Sequence, residues 1–165
     1  MSHALAANLG MNSEANPRNT QGIVVVSAAN ESRQSVPTVE NGKDYYVERD
    51  GIKFAGTHLL IDLWGANRLD ELDTVEAALR ESARVAGATV LHCHLHHFQP
   101  NGGISGVLVL AESHISIHSW PERGYAALDV FMCGDCDPYL AIPVLKAAFT
   151  PSYVTLAENK RGLTP

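Results

Sequence analysis

From Lys53 onward the apolar positions recur with changing period, and the changes divide the chain into elements. Phe54 to Trp64 reads as a buried strand that ends at Gly65-Ala66-Asn67. Over Asp70–Ala86, Leu72, Val75, Leu79, Ala83 and Ala86 fall at helical spacing, with acidic residues toward the start and Gly87 placed to close the helix. Ala88 to Phe98 alternates in the strand manner, and Gln99-Pro100-Asn101-Gly102-Gly103 is a turn. Strands are predicted over Ile104–Leu110, His114–Trp120 and Tyr125–Met132, the last two joined through Pro121-Glu122-Arg123-Gly124. Pro138 to Phe149 reads as a second helix, with Pro143 near enough the first turn to be tolerated, and Ser152 to Ala157 as a final strand.

This order implies an α+β fold, a two-layer α/β sandwich with a mostly antiparallel sheet and helices on one face. The strand–helix–strand units at either end hint at an internal pseudo-repeat, too weak to assert. Residues 1–50 differ in texture: Ala, Asn, Ser, Glu and Gln dominate around one apolar run, Ile23-Val24-Val25-Val26. A largely disordered N-terminal extension is the preferred reading over an added edge strand. Residues 51–165 form the folded domain.

Composition adds constraints. The 165 residues are 45% apolar and 18% charged, which suits one globular domain with a real core. A net charge of −6 argues against nucleic acid and would suit a cationic substrate or product, as it would plain solubility. The three cysteines are too few for a disulfide scaffold and fit a reducing compartment. With no signal-peptide pattern and no membrane-length apolar run, a cytoplasmic protein without membrane contact is expected.

Candidate chemistry clusters in the second half. Glu112-Ser113 sets an acidic residue before a hydroxyl nucleophile, with His118 five residues on and Cys133 twenty on. His92, His94 and His96 would share one strand face, a conceivable zinc geometry with Cys133 or Cys136. The cysteine pair has no matching second pair and the spacing fits no metal motif, so no metal is assigned. Gly102-Gly103-Ile104-Ser105-Gly106 lacks the lysine and following helix of a phosphate loop and reads as a turn. A hydrolase triad of Ser113, His118 and Asp129 is conceivable, but no nucleophile elbow surrounds Ser113.

The run Glu112-Ser113-His114-Ile115-Ser116-Ile117-His118-Ser119-Trp120-Pro121-Glu122 closely resembles the processing site of prokaryotic S-adenosylmethionine decarboxylase proenzymes. The likeness continues through Gly124–Gly134, takes in His97-Phe98 and Ser105, and covers about Gly56 to Gly162. The resemblance implies self-cleavage, in which Ser113 attacks the Glu112 carbonyl to give an ester. His118 then removes the serine α-proton with help from Ser105 in processing, and Ser113 ends as a pyruvoyl group. The products would be a β chain, 1–112, and an α chain, 113–165. The pyruvoyl carbonyl would form a Schiff base with the substrate amine, so neither pyridoxal phosphate nor metal is required. Cys133 matches the proton donor of decarboxylation, a thiol being mostly protonated at neutral pH.

Glu122 matches a carboxylate on the ribose hydroxyls, and Phe98 and Trp120 match aromatic positions near the adenine. The family also implies a dimer of αβ protomers and a product that donates an aminopropyl group in spermidine synthesis. Two departures stand out: the first fifty residues are additional, and Arg123 stands where family members often carry an aromatic or other residue. Paralogues that decarboxylate ornithine or arginine share Ser113, His118 and Cys133, and a non-catalytic fold relative is the rival of another class.

Overall fold

The computed structural model describes residues 46–111 and 113–164. The Ile23–Val26 run and nearly all of the proposed extension lie outside them, as does Glu112. The described elements are β1 (Val47–Arg49), β2 (Ile52–Phe54), β3 (Gly56–Trp64), α1 (Leu72–Val85), β4 (Val90–His97), β5 (Ile104–Leu110), β6 (Ser113–Trp120), β7 (Tyr125–Cys133), α2 (Ala141–Phe149) and β8 (Tyr153–Arg161). The short β1–β2 hairpin was not expected. The predicted first strand begins two residues late because Phe54 belongs to that hairpin.

The six remaining strands form one sheet in the order β4-β5-β6-β7-β3-β8, every neighbouring pair antiparallel. This is the α+β sandwich that the pattern predicts. α1 and α2 pack against each other over one face. Beneath them lie Leu59, Ile61 and Leu63 of β3, Leu108 of β5, Ile115 and Ile117 of β6, and Leu128 and Val130 of β7. Val75, Leu79 and Ala83 of α1 and Ala141, Leu145 and Phe149 of α2 complete this core. Gly87 does close α1, at φ +83°. The second helix is shorter than predicted. Pro138–Leu140 forms a 3-10 turn capped by the Asp137 carboxylate, and Pro143 takes the third position of α2, where its missing N–H costs no helical bond.

Among the described residues no helix lies over the other sheet face. Strand alternation presents His58, Leu60, Asp62 and Trp64 of β3 there, with Ser105, Val107 and Val109 of β5. β6 adds His114, Ser116, His118 and Trp120, and β7 adds Tyr125, Ala127, Asp129, Phe131 and Cys133. The functional candidates lie mostly on this uncovered face.

Candidate active site

Ser113 opens β6. Leu110 pairs with Ser113, so only Ala111 and Glu112 separate β5 from β6 in the chain. Ser113 is buried, and its Oγ accepts a hydrogen bond from the Cys133 backbone N–H at 3.1 Å. A hydroxyl oxygen that receives a fixed amide proton keeps its own proton available for removal, and negative charge on that oxygen is stabilised. Ser113 and Cys133, twenty residues apart in sequence, therefore meet at one end of the sheet through the Cys133 backbone.

Ser105 and His118 meet at the other end. They are direct cross-strand partners on the uncovered face, with Ser105 Oγ 2.9 Å from His118 Nδ1. Trp120 lies beside His118, ring centroids 6.5 Å apart, and Phe98 packs edge-on against His96 at 4.4 Å, His96 being the β4 partner of Ser105. Glu122 is exposed in the 3-10 turn that follows β6. An aromatic row continues from Trp120 through Tyr125 (5.2 Å) and Trp64 (4.4 Å) to Tyr153 (6.0 Å).

A single chain does not bring these two groups together. Ser113 and His118 are five residues apart on one extended strand, which is about 16 Å at about 3.3 Å per residue. Alternation also puts them on opposite faces, Ser113 in line with buried Ile115 and Ile117. The hydrolase triad fails for the same reason. Asp129 accepts instead from Ser116 Oγ at 2.9 Å and pairs with His58 Nε2 at 3.2 Å.

Between the two ends sits a polar cluster that sequence reasoning missed. His58 Nε2 stands 3.2 Å from Asp129 Oδ1, and Arg161 Nη1 lies 3.4 Å from His58 Nδ1. His114 stands edge-on to His58 at 6.0 Å and tilted against Phe131 at 5.6 Å. Burial, and secondarily His58, hold the His114 imidazole below its ordinary value, against the pull of Asp129. In this state the unfolded chain binds more protons than the folded one, so His114 lowers stability as pH falls through about 6.5 toward its depressed value. Urea midpoints compared between about pH 7.5 and pH 5.5 are expected to fall less for His114→Phe than for the parent chain. Tyr125, which donates to Asp62 at 2.7 Å, is pushed up to about 12 by burial and by that carboxylate, and stays protonated.

His92, His94 and His96 do share the uncovered face, exposed on the edge strand β4. Among the described residues no group of three or more His, Cys, Asp or Glu side chains is placed to hold a metal ion. Burial raises the Cys93 and Cys136 thiols, and both pack against the core. No helix among the described residues is long and apolar enough to cross a membrane.

The family model described as S-adenosylmethionine decarboxylase matches residues 57–162. The chain belongs to the S-adenosylmethionine decarboxylase family. A relative from Thermomicrobium roseum, named S-adenosylmethionine decarboxylase proenzyme, is 42% identical over 113 residues, covering 68% of this chain and 97% of its own length. One of the same name from Methanococcus vannielii is 44% identical over 115 residues, 68% and 93% of the two chains. The crystal structure of the adenosylmethionine decarboxylase from Aquifex aeolicus superposes with a TM-score of 0.61 at 34% identity, covering 68% of this chain and 94% of that one. Family membership carries the enzyme class, a carboxy-lyase, and these relatives do not favour the ornithine or arginine alternative.

Proposed function

We propose that the chain severs its own Glu112–Ser113 bond, converts residue 113 to a pyruvoyl group, and decarboxylates S-adenosylmethionine to the aminopropyl donor of spermidine synthesis. The observation that carries this reading is the buried Ser113 hydroxyl held by the Cys133 N–H. Ser113 Oγ attacks the Glu112 carbonyl carbon. The acyl group passes from nitrogen to oxygen, and the hydroxyl proton ends on the freed amine. His118 then takes the α-proton of residue 113, the Cβ–Oγ bond breaks, and Glu112 leaves as a carboxylate, with Ser105 bonded to the imidazole. Water releases the nitrogen as ammonia.

The residues at the start of β6 suit such a group: a serine opening the strand, shielded, with a fixed donor on its oxygen. A pyruvoyl group at residue 113 would supply a carbonyl for the substrate amine and an electron sink for decarboxylation. Cys133 S–H gives its proton to the substrate α-carbon and is reprotonated from water. Trp120, Phe98 and Glu122 hold the nucleoside end, through stacking and through carboxylate bonds to the ribose hydroxyls.

The active unit is a dimer of processed αβ protomers. Its support is the separation within one chain: Ser113 and Cys133 stand at one end of the sheet, Ser105, His118, Trp120 and Glu122 at the other. Two copies related by a twofold axis and laid face to face would set one copy's Ser113 end against the other's His118 end. Exposed Leu60, Val109, Trp120 and Tyr153 on that face would be covered by the same contact.

Intact-mass measurement of the purified chain is expected to show two species that break between Glu112 and Ser113, the larger ending at Glu112 and the smaller blocked at its N-terminus. Ser113→Ala should run as one uncut chain with no carbon dioxide release. A parent chain that stays whole would end the proposal.

A further inference from the structure

We infer that Gly56 is a positioning residue that sets where Cys133 lies for both of its tasks. The inference rests on the pyruvoyl reading above. Gly56 is the direct partner of Cys133 across β3 and β7, one strand away from the pair that Cys133 makes with Ser113. Its φ lies outside the left-handed region, so the backbone does not demand glycine there. The demand is for space. A Cβ on residue 56 would lie 3.0 Å from Cys133 Sγ, 2.9 Å from Phe131 Cε2 and 2.6 Å from the Met132 carbonyl oxygen.

The last contact is the informative one. The Met132 carbonyl and the Cys133 N–H belong to one rigid peptide plane. One edge of that plane faces Gly56, and its N–H donates to Ser113 Oγ. The thiol of the same residue occupies the volume that a side chain on 56 would take, flanked by the Phe131 ring. An empty position on β3 thus fixes the amide used in cleavage and the thiol used in reprotonation.

The two tasks have separate readouts. Cleavage is read as the rate at which the full chain splits. Reprotonation is read from the α chain after turnover. A proton placed on the substrate carbon regenerates the blocked N-terminus. A proton placed on residue 113 leaves the substrate nitrogen there, so that water releases an aldehyde and the α chain ends in alanine.

In the purified full-length chain, Gly56→Ala is expected to slow cleavage about tenfold and to raise the alanine-ended fraction per turnover about tenfold, since shifts well under 1 Å at a reacting group carry such costs. Phe131→Leu opens the wall beside the thiol without touching the peptide, so it should raise the alanine-ended fraction and leave cleavage unchanged. Gly56→Ala combined with Cys133→Ala should misprotonate no more than Cys133→Ala alone. Leu79→Ala, a truncation in the core under α1, serves as a destabilised comparator and should leave the fraction unchanged.

Wild-type cleavage and a wild-type fraction in Gly56→Ala would overturn the inference, as would an equal rise in Leu79→Ala. Should Gly56→Ala not fold, an unchanged fraction in Phe131→Leu overturns it alone. If Cys133→Ala itself leaves the fraction unchanged, the assignment of Cys133 fails, and the inference falls with it for that separate reason.

Discussion

Cys133→Ala is expected to cut itself at close to the parent rate and yet to lose decarboxylation by about 10²- to 10⁴-fold, the usual worth of a positioned general acid. The asymmetry follows from which part of the residue does what. Ser113 Oγ is bonded to the Cys133 backbone N–H, which alanine also has. The thiol lies on the uncovered face and is lost. Cleavage followed on a gel and carbon dioxide release from labelled substrate would report the two steps separately. Retained decarboxylation with clean product would reject the proton-donor role. A chain that no longer cleaved would instead move Cys133's side chain into the processing step.

His118→Ala and Ser113→Ala should each fail to cleave when made alone, and their co-expression should restore cleavage of the His118→Ala chain. In a mixed dimer the intact Ser113 of one copy meets the intact His118 of the other. The reverse pairing lacks both. Random pairing places about half of the His118→Ala chains in such dimers, so the effect rises from none to a readily counted fraction. An epitope tag on each variant shows which chain was cut. Failure of every mixture, with mixed dimers demonstrably present, would mean that His118 acts within its own chain, against a separation of about 16 Å along an extended strand.

Much of the architecture was legible because the apolar period changes cleanly. Ile115, Ile117, Leu128 and Val130 alternate with polar residues as a one-sided sheet requires, and Val75, Leu79 and Ala83 fall on one stripe of α1. The last strand was cut short at Ala157 because Glu158, Asn159, Lys160 and Arg161 look like a solvated tail. They extend an edge strand instead, held to β3 through backbone pairing that needs no apolar side chain. Val47–Arg49 escaped for a similar reason, three residues being too short for periodicity.

The candidate reacting residues come from resemblance, and their distribution over the sheet was not legible. Ser113 and His118 look adjacent in the sequence, yet an odd separation on a strand places them on opposite faces. That much could have been found by counting. His58 could not, since its partners Asp129 and Arg161 come from β7 and β8 and meet only through the sheet order. Gly56 carries its meaning by what it lacks, and only the neighbouring strand reveals that.

The strand order β4-β5-β6-β7-β3-β8 has a bearing on what the cut does to the molecule afterwards. The α chain would contribute β6, β7 and β8, and the β chain β3, β4 and β5. β3 therefore lies between two strands of the other product and is laddered to both along all nine of its residues. Cutting removes one covalent link and leaves both ladders on β3 untouched, so the halves would stay woven together. Folding, by contrast, changes order. Before the cut it is an intramolecular search; after it, two fragments must find each other in solution, and recovery from urea becomes dependent on their concentration. Once that bond is broken, the assembly left behind would be one the separated halves reach only by a slower road.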